Sequence, residues 1–180
     1  MIGERFTREA RQAVVAAVGE AERAGSKRVE PEHLALALLD APALAGFDLP
    51  HDEVAAEFAD IRRRGGLTGA DVEALRGLGI DVDEVLGAAE RSLGAAGGGG
   101  TATRTGRRWR LFGNHVPFAP ESKQVLTRCL TEALDLGSSV LTADHLVLAL
   151  LVARGPVSEV LGGRGVRYAE VRRLVAAPRT

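Results

Sequence analysis

Several features that mark other protein classes are scarce in this 180-residue sequence. It has a single cysteine, Cys129, which excludes an internal disulfide, and its aromatic content of 4% disfavours a β-sandwich core. The 23 Lys and Arg residues nearly balance the 24 Asp and Glu residues, so no net field draws the protein to nucleic acid or to an anionic membrane. No apolar run approaches the roughly 18 residues needed to cross a bilayer. With 46% hydrophobic residues, the sequence predicts an all-α protein that folds in water, and we expect a cytoplasmic location.

Motifs for catalysis are also missing from the sequence. There is no Gly-x-x-x-x-Gly-Lys-Ser/Thr loop, whose amides and lysine an ATPase needs around its nucleotide. Cys129 has no motif that pairs it with a general base, and we expect it to pack in the core. His33 and His145 have no second ligand at metal-binding spacing, and we expect both to be structural residues near the starts of buried helices. These observations predict a binding protein rather than an enzyme, without a cofactor or a metal.

An internal repeat organises the chain. Shifting the sequence by 112 positions aligns residues 6–39 with 118–151 without a gap and gives 13 identities in 34 columns. Random pairing would give only a few identities, so the two segments are copies of one supersecondary unit. The identical pairs include Phe6 with Phe118, Gly25 with Gly137 and His33 with His145.

Each copy predicts a pair of helices. In the first copy, apolar residues over 10–21 recur at helical spacing, with Thr7 placed as the N-cap and Gly25 as the left-handed residue after the helix. A second helix, apolar on most sides and therefore expected to be buried, follows over 31–39. In the second copy the corresponding boundaries fall at Pro120, Gly137 and Thr142.

The copies diverge after the second helix. Residues 79–85 match 165–171 at a spacing of 86, which leaves 26 extra residues in the first copy, between about 40 and 78. The apolar residues there recur at the spacing of an amphipathic helix: Val54, Phe58 and Ile61. Together with the glycine- and arginine-rich stretch between the copies, the pattern predicts a first repeat at 1–93, a linker at 94–114 and a second repeat at 115–180.

The repeated residues resemble the double Clp-repeat domain at the N-terminus of Clp-type AAA+ unfoldases, in the ClpC and ClpA group. Residues 4–7 (Glu-Arg-Phe-Thr) are similar to the opening of that family, and 115–120 (His-Val-Pro-Phe-Ala-Pro) are similar to the entry of its second repeat. Residues 31–34 and 143–146 look like its two Gly-Thr-Glu-His-Leu motifs. The resemblance implies two pseudo-symmetric four-helix repeats packed as one compact domain, with an extra helical insertion in the first. It also implies a stand-alone relative of the unfoldase N-domain that lacks the ATPase modules.

The resemblance further implies candidate ligand-binding residues. In this family the acidic residues before the repeated histidines, here Glu32 and Asp144, hold the guanidinium of phosphoarginine on tagged proteins. The phosphate lies by the start of each repeat's first helix, which suits the chemistry of helix N-terminal amides. The implied sites are a stronger one with Thr7 and Glu32 and a weaker one with Ala119 and Asp144, and we expect Glu32 to lie at the surface. A structural role, in which these carboxylates complement the helix dipole, is the competing interpretation.

The same family surface receives cyclic peptide antibiotics in actinobacterial members, through apolar and basic residues that Phe118 and Lys123 match. Ile2 provides an aliphatic substitute for an aromatic residue that the family has near its N-terminus. The implied function is that of a receptor, adaptor or decoy for the Clp protease system. Its implied partners are peptides or phosphoarginine-tagged proteins, Clp components and cyclic peptides.

The segment Arg104–Arg110 supports a function of another class. Its four arginines surround Trp109, and such a segment can hold phosphates and stack on single-stranded bases. The stretch is short and the chain has a net charge of -1, so a solvated linker is the favoured interpretation. A small nucleic-acid-binding regulator is the alternative hypothesis.

Overall fold

The computed structural model describes residues 5–96 and 116–177. In these ranges the chain is helical, apart from turns, loops and two isolated bridges between extended residues. The all-α prediction is thereby confirmed for the described part of the chain. The helices are α1 (Arg8–Arg23), α2 (Pro31–Ala37), α3 (His51–Arg63), α4 (Gly69–Gly77), α5 (Val82–Ala96), α6 (Pro120–Asp135), α7 (Ala143–Val152), α8 (Pro156–Gly163) and α9 (Tyr168–Ala176), with a 3-10 turn at Pro42–Leu44.

Local hydrogen bonds and glycines set the helix boundaries. The Thr7 hydroxyl oxygen caps α1 by accepting a hydrogen bond, at 3.3 Å, from the amide three residues later. Thr142 caps α7 in the same way at 3.4 Å. Gly25 and Gly137 follow α1 and α6 with φ values of 63° and 68°, a left-handed conformation that glycine adopts without steric cost. The boundaries expected from the sequence are confirmed at these four positions.

The described residues divide into two compact units. The first contains the residues up to Phe58 and those from Val116 onwards, and the second begins at Ala59 and includes α4 and α5. In the first unit α1 packs along α2 and α6 packs along α7, so each repeat contributes a helical pair. Helices α8 and α9 pack on α7, and α8 also contacts α2. The domain boundaries expected at 93 and 115 stay predictions.

Two backbone bridges relate the repeats by a pseudo-twofold arrangement. The bridged pairs are Phe6 with Leu141 and Phe118 with Val29. The Thr7 amide donates a hydrogen bond to the Leu141 carbonyl at 2.9 Å, and the equivalent Ala119 amide donates to the Val29 carbonyl at 3.0 Å. The start of each repeat's first helix is therefore held beside the loop that precedes the second helix of the other repeat.

Helix α7 lies within the core of the first unit. All residues from Ala143 to Leu150 are buried, which explains why this helix is apolar on nearly every side. Among the described helices, no single one is long and apolar enough to cross a membrane. Helices α7 and α8 reach the required length and composition only together, and the chain bends by 104° between them.

The segment where the insertion was expected contains an additional helix, α3. Val54, Phe58 and Ile61 are all buried, as their spacing predicted. Gly79 and Gly165, which the sequence match pairs, both have positive φ values, of 80° and 86°. They stand at corresponding places, between α4 and α5 and between α8 and α9. The expectation of an extra helix in the first repeat is thereby confirmed.

Candidate ligand-binding site

Glu32 and Asp144 occupy equivalent positions in the first turns of α2 and α7. The expectation that Glu32 lies at the surface is wrong, because only 8% of this residue is exposed, and Asp144 is 2% exposed. One carboxylate oxygen of Asp144 accepts a hydrogen bond from the Ala43 amide, in the 3-10 turn of the other repeat, at 2.9 Å. Helix α7 packs on that turn and α2 packs on α8, and these contacts between the repeats explain the burial.

The backbone brings the helix starts together across the repeats. The first backbone bridge places Thr7 beside the start of α7, which carries Asp144. The second bridge places Ala119 beside the start of α2, which carries Glu32. The sequence had paired Thr7 with Glu32 and Ala119 with Asp144, whereas the backbone contacts favour the crossed pairs. That either pair holds a ligand stays a prediction.

The two repeated histidines have matching environments. His33 accepts a hydrogen bond from the Glu30 amide at its Nδ1 atom at 2.9 Å, and His145 accepts one from the Thr142 amide at 3.1 Å. Each ring therefore fastens the turn that opens its helix, which is the structural role expected from the sequence. Within residues 5–96 and 116–177, no group of three or more His, Cys, Asp or Glu residues could hold a metal ion.

Phe118 and Lys123 flank the start of α6. Phe118 is half-buried and forms the backbone bridge to Val29, so the loop of the other repeat fixes its position. Lys123 is exposed, and its amide donates a hydrogen bond to the Ala119 carbonyl at 3.0 Å. Both residues thus lie within about one helical turn of Ala119. Ile2, the third expected contact for a cyclic peptide, lies outside the described residues.

Two exposed cations at the start of α1 were missed from the sequence. Arg11 is the equivalent of Lys123 under the shift of 112, so the repeat alignment itself was the signal that could have identified it. Arg8 lies one turn earlier and is also exposed. Because Pro120 stands at the position equivalent to Arg8, the first turn of α1 presents two cations and the first turn of α6 presents one.

A buried carboxylate in the second repeat, Glu132, ties α9 to α6. The Tyr168 hydroxyl donates a hydrogen bond to it at 2.8 Å, and Arg128 and Arg172 donate at 3.0 and 3.3 Å. Burial, together with the hydrogen bond to Glu132, raises the pKa of Tyr168 above its ordinary value. Burial and the Glu132 charge also raise the pKa of Cys129 to about 12. The thiol is therefore protonated at neutral pH, which agrees with a packing role and disfavours a nucleophile.

The equivalent residue of the first repeat, Glu20, ties α3 to α1. Its carboxylate lies 3.0 Å from Nε2 of His51 and accepts a hydrogen bond from Arg23 at 2.6 Å. His51 is the first residue of α3, just as Tyr168 is the first residue of α9. The equivalent residues Glu20 and Glu132 thus contact the first residues of α3 and α9. The sequence match does not pair these two helices, because it pairs α5 with α9.

The comparisons with known proteins agree with this architecture. The family model for the Clp repeat (R) N-terminal domain matches residues 5–47. The chain is 27% identical over 173 residues to the chloroplastic ClpA homolog of the ATP-dependent Clp protease from Brassica napus. It is also 27% identical over 173 residues to the chloroplastic chaperone protein ClpC1 from Arabidopsis thaliana. Each match covers 96% of this chain but only 16% and 15% of the relatives, so the chain spans about one sixth of their length.

Solved structures show the same fold at lower sequence identity. The N-terminal domain of the chaperone ClpD from Arabidopsis thaliana matches with a TM-score of 0.53 and 16% identity, over 98% of each chain. A structure described as part of a malarial protein secretion system matches with a TM-score of 0.51 and 14% identity, over 95% of this chain and 92% of that one. The expected resemblance is confirmed: residues 5–47 match the Clp N-terminal repeat, and the chain is similar in sequence and fold to the N-terminal domains of Clp-type unfoldases.

Proposed function

We propose that this chain is a non-enzymatic binding protein of the Clp N-terminal type that receives peptide or protein ligands. The observation that carries the proposal is the pair of crossed helix starts. At each one, the N-terminus of one repeat's first helix meets a helix of the other repeat that carries a buried carboxylate. Helix N-termini attract anions and carboxylates attract guanidinium groups. The arrangement therefore suits a ligand that carries both kinds of charge.

Phosphoarginine is the ligand class with chemistry for both halves of such a site. Its phosphate would lie at the helix N-terminus and its guanidinium would pair with the carboxylate. The site with Thr7 and Asp144 would bind phosphate well, because the start of α1 has both amides and a hydroxyl group. Its carboxylate is short, and one oxygen of Asp144 already accepts a hydrogen bond from the protein backbone. The site with Ala119 and Glu32 would bind phosphate less well, because Pro120 lacks an amide hydrogen, but its carboxylate is longer. The crossed pairing therefore predicts two weak sites of similar affinity instead of one dominant site.

The proposed partners are clients and components of the Clp protease system, for which the chain would act as a receptor, adaptor or decoy. Cyclic peptides are proposed to bind the same face. The half-buried ring of Phe118 supplies an apolar contact, and the exposed Lys123 and Arg11 supply cationic contacts at the two helix starts.

Calorimetric titration with free phosphoarginine tests the ligand class. Glu32→Gln and Asp144→Asn remove one charge each and keep the side-chain volume, and the exposed Glu159→Gln on α8 is the matched control. Losing a charge-assisted hydrogen bond costs about 1.5–3 kcal/mol, or roughly ten- to a hundredfold in affinity. We expect each of the two site variants to lose the affinity of one site, and the control to lose none. No measurable heat in the unmodified protein would reject phosphoarginine as the ligand.

A second titration, with an unfoldase-directed cyclic peptide, tests the same face independently of phosphate. The double variant Arg11→Glu with Lys123→Glu reverses both cations at the helix starts. The matched control reverses two exposed cations elsewhere in the first unit, Arg154→Glu with Arg167→Glu. Loss of binding in the first double variant alone would support the proposed face. Equal losses in both double variants would show that the change in net charge weakens binding, wherever the cations lie.

The alternative function, nucleic-acid binding, rests on the segment Arg104–Arg110, which lies outside the described residues. A gel-shift assay with a single-stranded oligonucleotide at low and moderate salt separates it from the proposed function. Contacts with phosphates would give an affinity that falls steeply as the salt concentration rises. A salt-dependent shift that disappears when the four arginines are replaced by glutamine would favour this alternative.

A further inference from the structure

The side of α1 that faces away from the core carries a single line of residues, which we call the outer face of α1. Helix α1 packs on α2 and α7, and its buried alanines Ala10, Ala17 and Ala21 lie on the inner side. Residues three and four positions apart share one side of a helix. From the N-terminal end, the outer face contains Arg8, Gln12, Val15, Gly19 and Glu22. All five are at least partly exposed, so the outer face belongs to the surface of the first unit.

The middle of the outer face is apolar and open. Val15 is 71% exposed, and Gly19 lies one helical turn after it. Glycine is among the least favourable residues in the interior of a helix. A side-chain carbon added at Gly19 would meet no atom of the rest of the fold within 4 Å, so packing inside the chain does not require a glycine there. Contacts within the described fold therefore explain neither residue.

The two ends of the outer face carry opposite charges at equal distances from Val15. Arg8 stands seven residues before Val15 and Glu22 stands seven residues after it, so each charge lies about 10 Å from Val15 along the helix axis. Both charged residues are exposed. If two copies of α1 packed antiparallel about Val15, the Arg8 of each copy would face the Glu22 of the other. The outer face is therefore complementary in charge to a second copy of itself.

The equivalent face of α6 lacks this complementarity. Thr127 and Thr131 stand at the positions equivalent to Val15 and Gly19, and Pro120 and Leu134 stand at the positions equivalent to Arg8 and Glu22. All four are exposed. Two antiparallel copies of α6 would thus have polar residues in the middle and no pair of opposite charges at these ends. Because α1 and α6 pack on equivalent helices, the shared fold does not account for the apolar, charge-complementary face of α1.

We propose that the outer face of α1 is a self-association surface, through which two copies of this chain pair by antiparallel packing of α1 about Val15. The two Val15 side chains meet on the twofold axis, as an interface between identical surfaces requires. The missing side chain at Gly19 lets the two helices approach closely, and an Arg8–Glu22 pair forms at each end. The contact follows one helix over about 20 Å. It is therefore a small interface, and the dimer is weak and reversible.

Sedimentation of the full chain in an analytical ultracentrifuge, over a series of protein concentrations, tests the proposal. We expect the unmodified protein to show a monomer–dimer equilibrium. Val15→Arg places two like charges on the twofold axis and should raise the dissociation constant of the dimer by about a hundredfold. The matched control, Thr127→Arg, makes the same charge change at the equivalent exposed position of α6 and should leave the dissociation constant unchanged. Circular dichroism checks the fold of both variants, and arginine is a good helix former at such positions.

A charge exchange tests the antiparallel register. Arg8→Glu and Glu22→Arg each place like charges together at both ends of the interface, and each should weaken the dimer roughly tenfold. An equimolar mixture of the two variants should recover the original affinity, because the mixed dimer again contains two pairs of opposite charge. Both substitutions suit the helix dipole, so neither should unfold α1.

Three results would overturn the proposal. The unmodified protein could remain monomeric at the highest concentration, which would mean that the outer face does not bind a second copy. Val15→Arg could leave the dimer intact or weaken it no more than Thr127→Arg does, which would place the interface elsewhere. The mixture of the two charge variants could associate no more tightly than either variant alone, which would exclude the pairing of Arg8 with Glu22.

Discussion

The two repeats differ most in how each completes its helical pair. The second repeat continues directly from α7 through α8 to α9, and Tyr168 of α9 anchors on the fully buried Glu132. The first repeat reduces the connection to a 3-10 turn, anchors α3 on Glu20 through His51, and continues into α4 and α5 of the second unit. The repeat alignment therefore identifies Glu20 and Glu132 as equivalent, but it does not predict that their partners are His51 and Tyr168.

The largest difference between the repeats should come from removing the two anchoring carboxylates. Glu132→Ala deprives Tyr168 and two arginines of a completely buried partner and should lower the free energy of unfolding by about 3 kcal/mol. Glu20→Ala should cost about 1 kcal/mol, because its partners His51 and Arg23 are themselves well exposed to solvent. Urea unfolding followed by circular dichroism measures both values. Equal costs would show that the two anchors are equivalent after all.

The next effect concerns the contact between the repeats at Asp144. Asp144→Ala leaves the Ala43 amide without its acceptor in a buried place and should cost about 2 kcal/mol. Asp144→Asn retains an acceptor oxygen and should recover most of that stability. Thermal unfolding of the two variants measures the difference. If the alanine variant melted like the unmodified protein, the hydrogen bond would have no part in joining the repeats.

A smaller effect separates the two first helices, because Thr7 caps α1 whereas α6 has Ala119 at its N-cap and no side-chain cap. Thr7→Ala should cost about 1 kcal/mol, and Thr7→Ser should be nearly neutral because it keeps the capping oxygen. Urea unfolding again measures the change. A neutral alanine substitution would mean that the bridge to Leu141 alone holds the start of α1.

The smallest expected effect is a loss of stability in acid that α4 should show. Its sequence counterpart α8, which has no side-chain cap, should not show it. Hydrogen bonds from the amide and hydroxyl of Thr68 lower the pKa of Asp71 below its ordinary value. The ionised Asp71 carboxylate therefore stabilises the start of α4 at neutral pH, above the unfolded-state pKa of about 3.9. This stabilisation is lost as the pH falls through the lower pKa of the folded state. Amide exchange in α4, corrected for its intrinsic pH dependence, should accelerate at that acid pH.

Asp71→Asn is the control for this last effect, because it removes the titrating group. Acid should then have no specific effect on amide exchange in α4. Amide exchange in α8 should have the same pH dependence in the unmodified protein and in the variant. Acceleration that persists in the asparagine variant would attribute the acid sensitivity to another group.

Local features of this protein could be predicted from the sequence because their causes lie within a few residues. Thr7 and Thr142 cap helices through amides three residues away, and Gly25 and Gly137 supply the left-handed turns that follow them. The repeated histidines also act over three residues. The spacing of 112 then transferred the inferences on the glycines and histidines from one repeat to the other, but not the threonine caps, because Ala119 is the equivalent of Thr7.

The sites could be predicted only as residue types in a repeated pattern. Their assembly depends on contacts between residues about a hundred positions apart, such as the Asp144 carboxylate with the Ala43 amide and the Thr7 amide with the Leu141 carbonyl. These contacts bury Asp144 and pair each helix start with the opposite repeat. By itself the sequence determined the helices, their caps and the repeat, because those follow from short-range hydrogen bonds and periodicity. The tertiary structure alone decided which carboxylates are buried and which helix start of the other repeat each first helix meets, because both depend on contacts between residues distant in sequence.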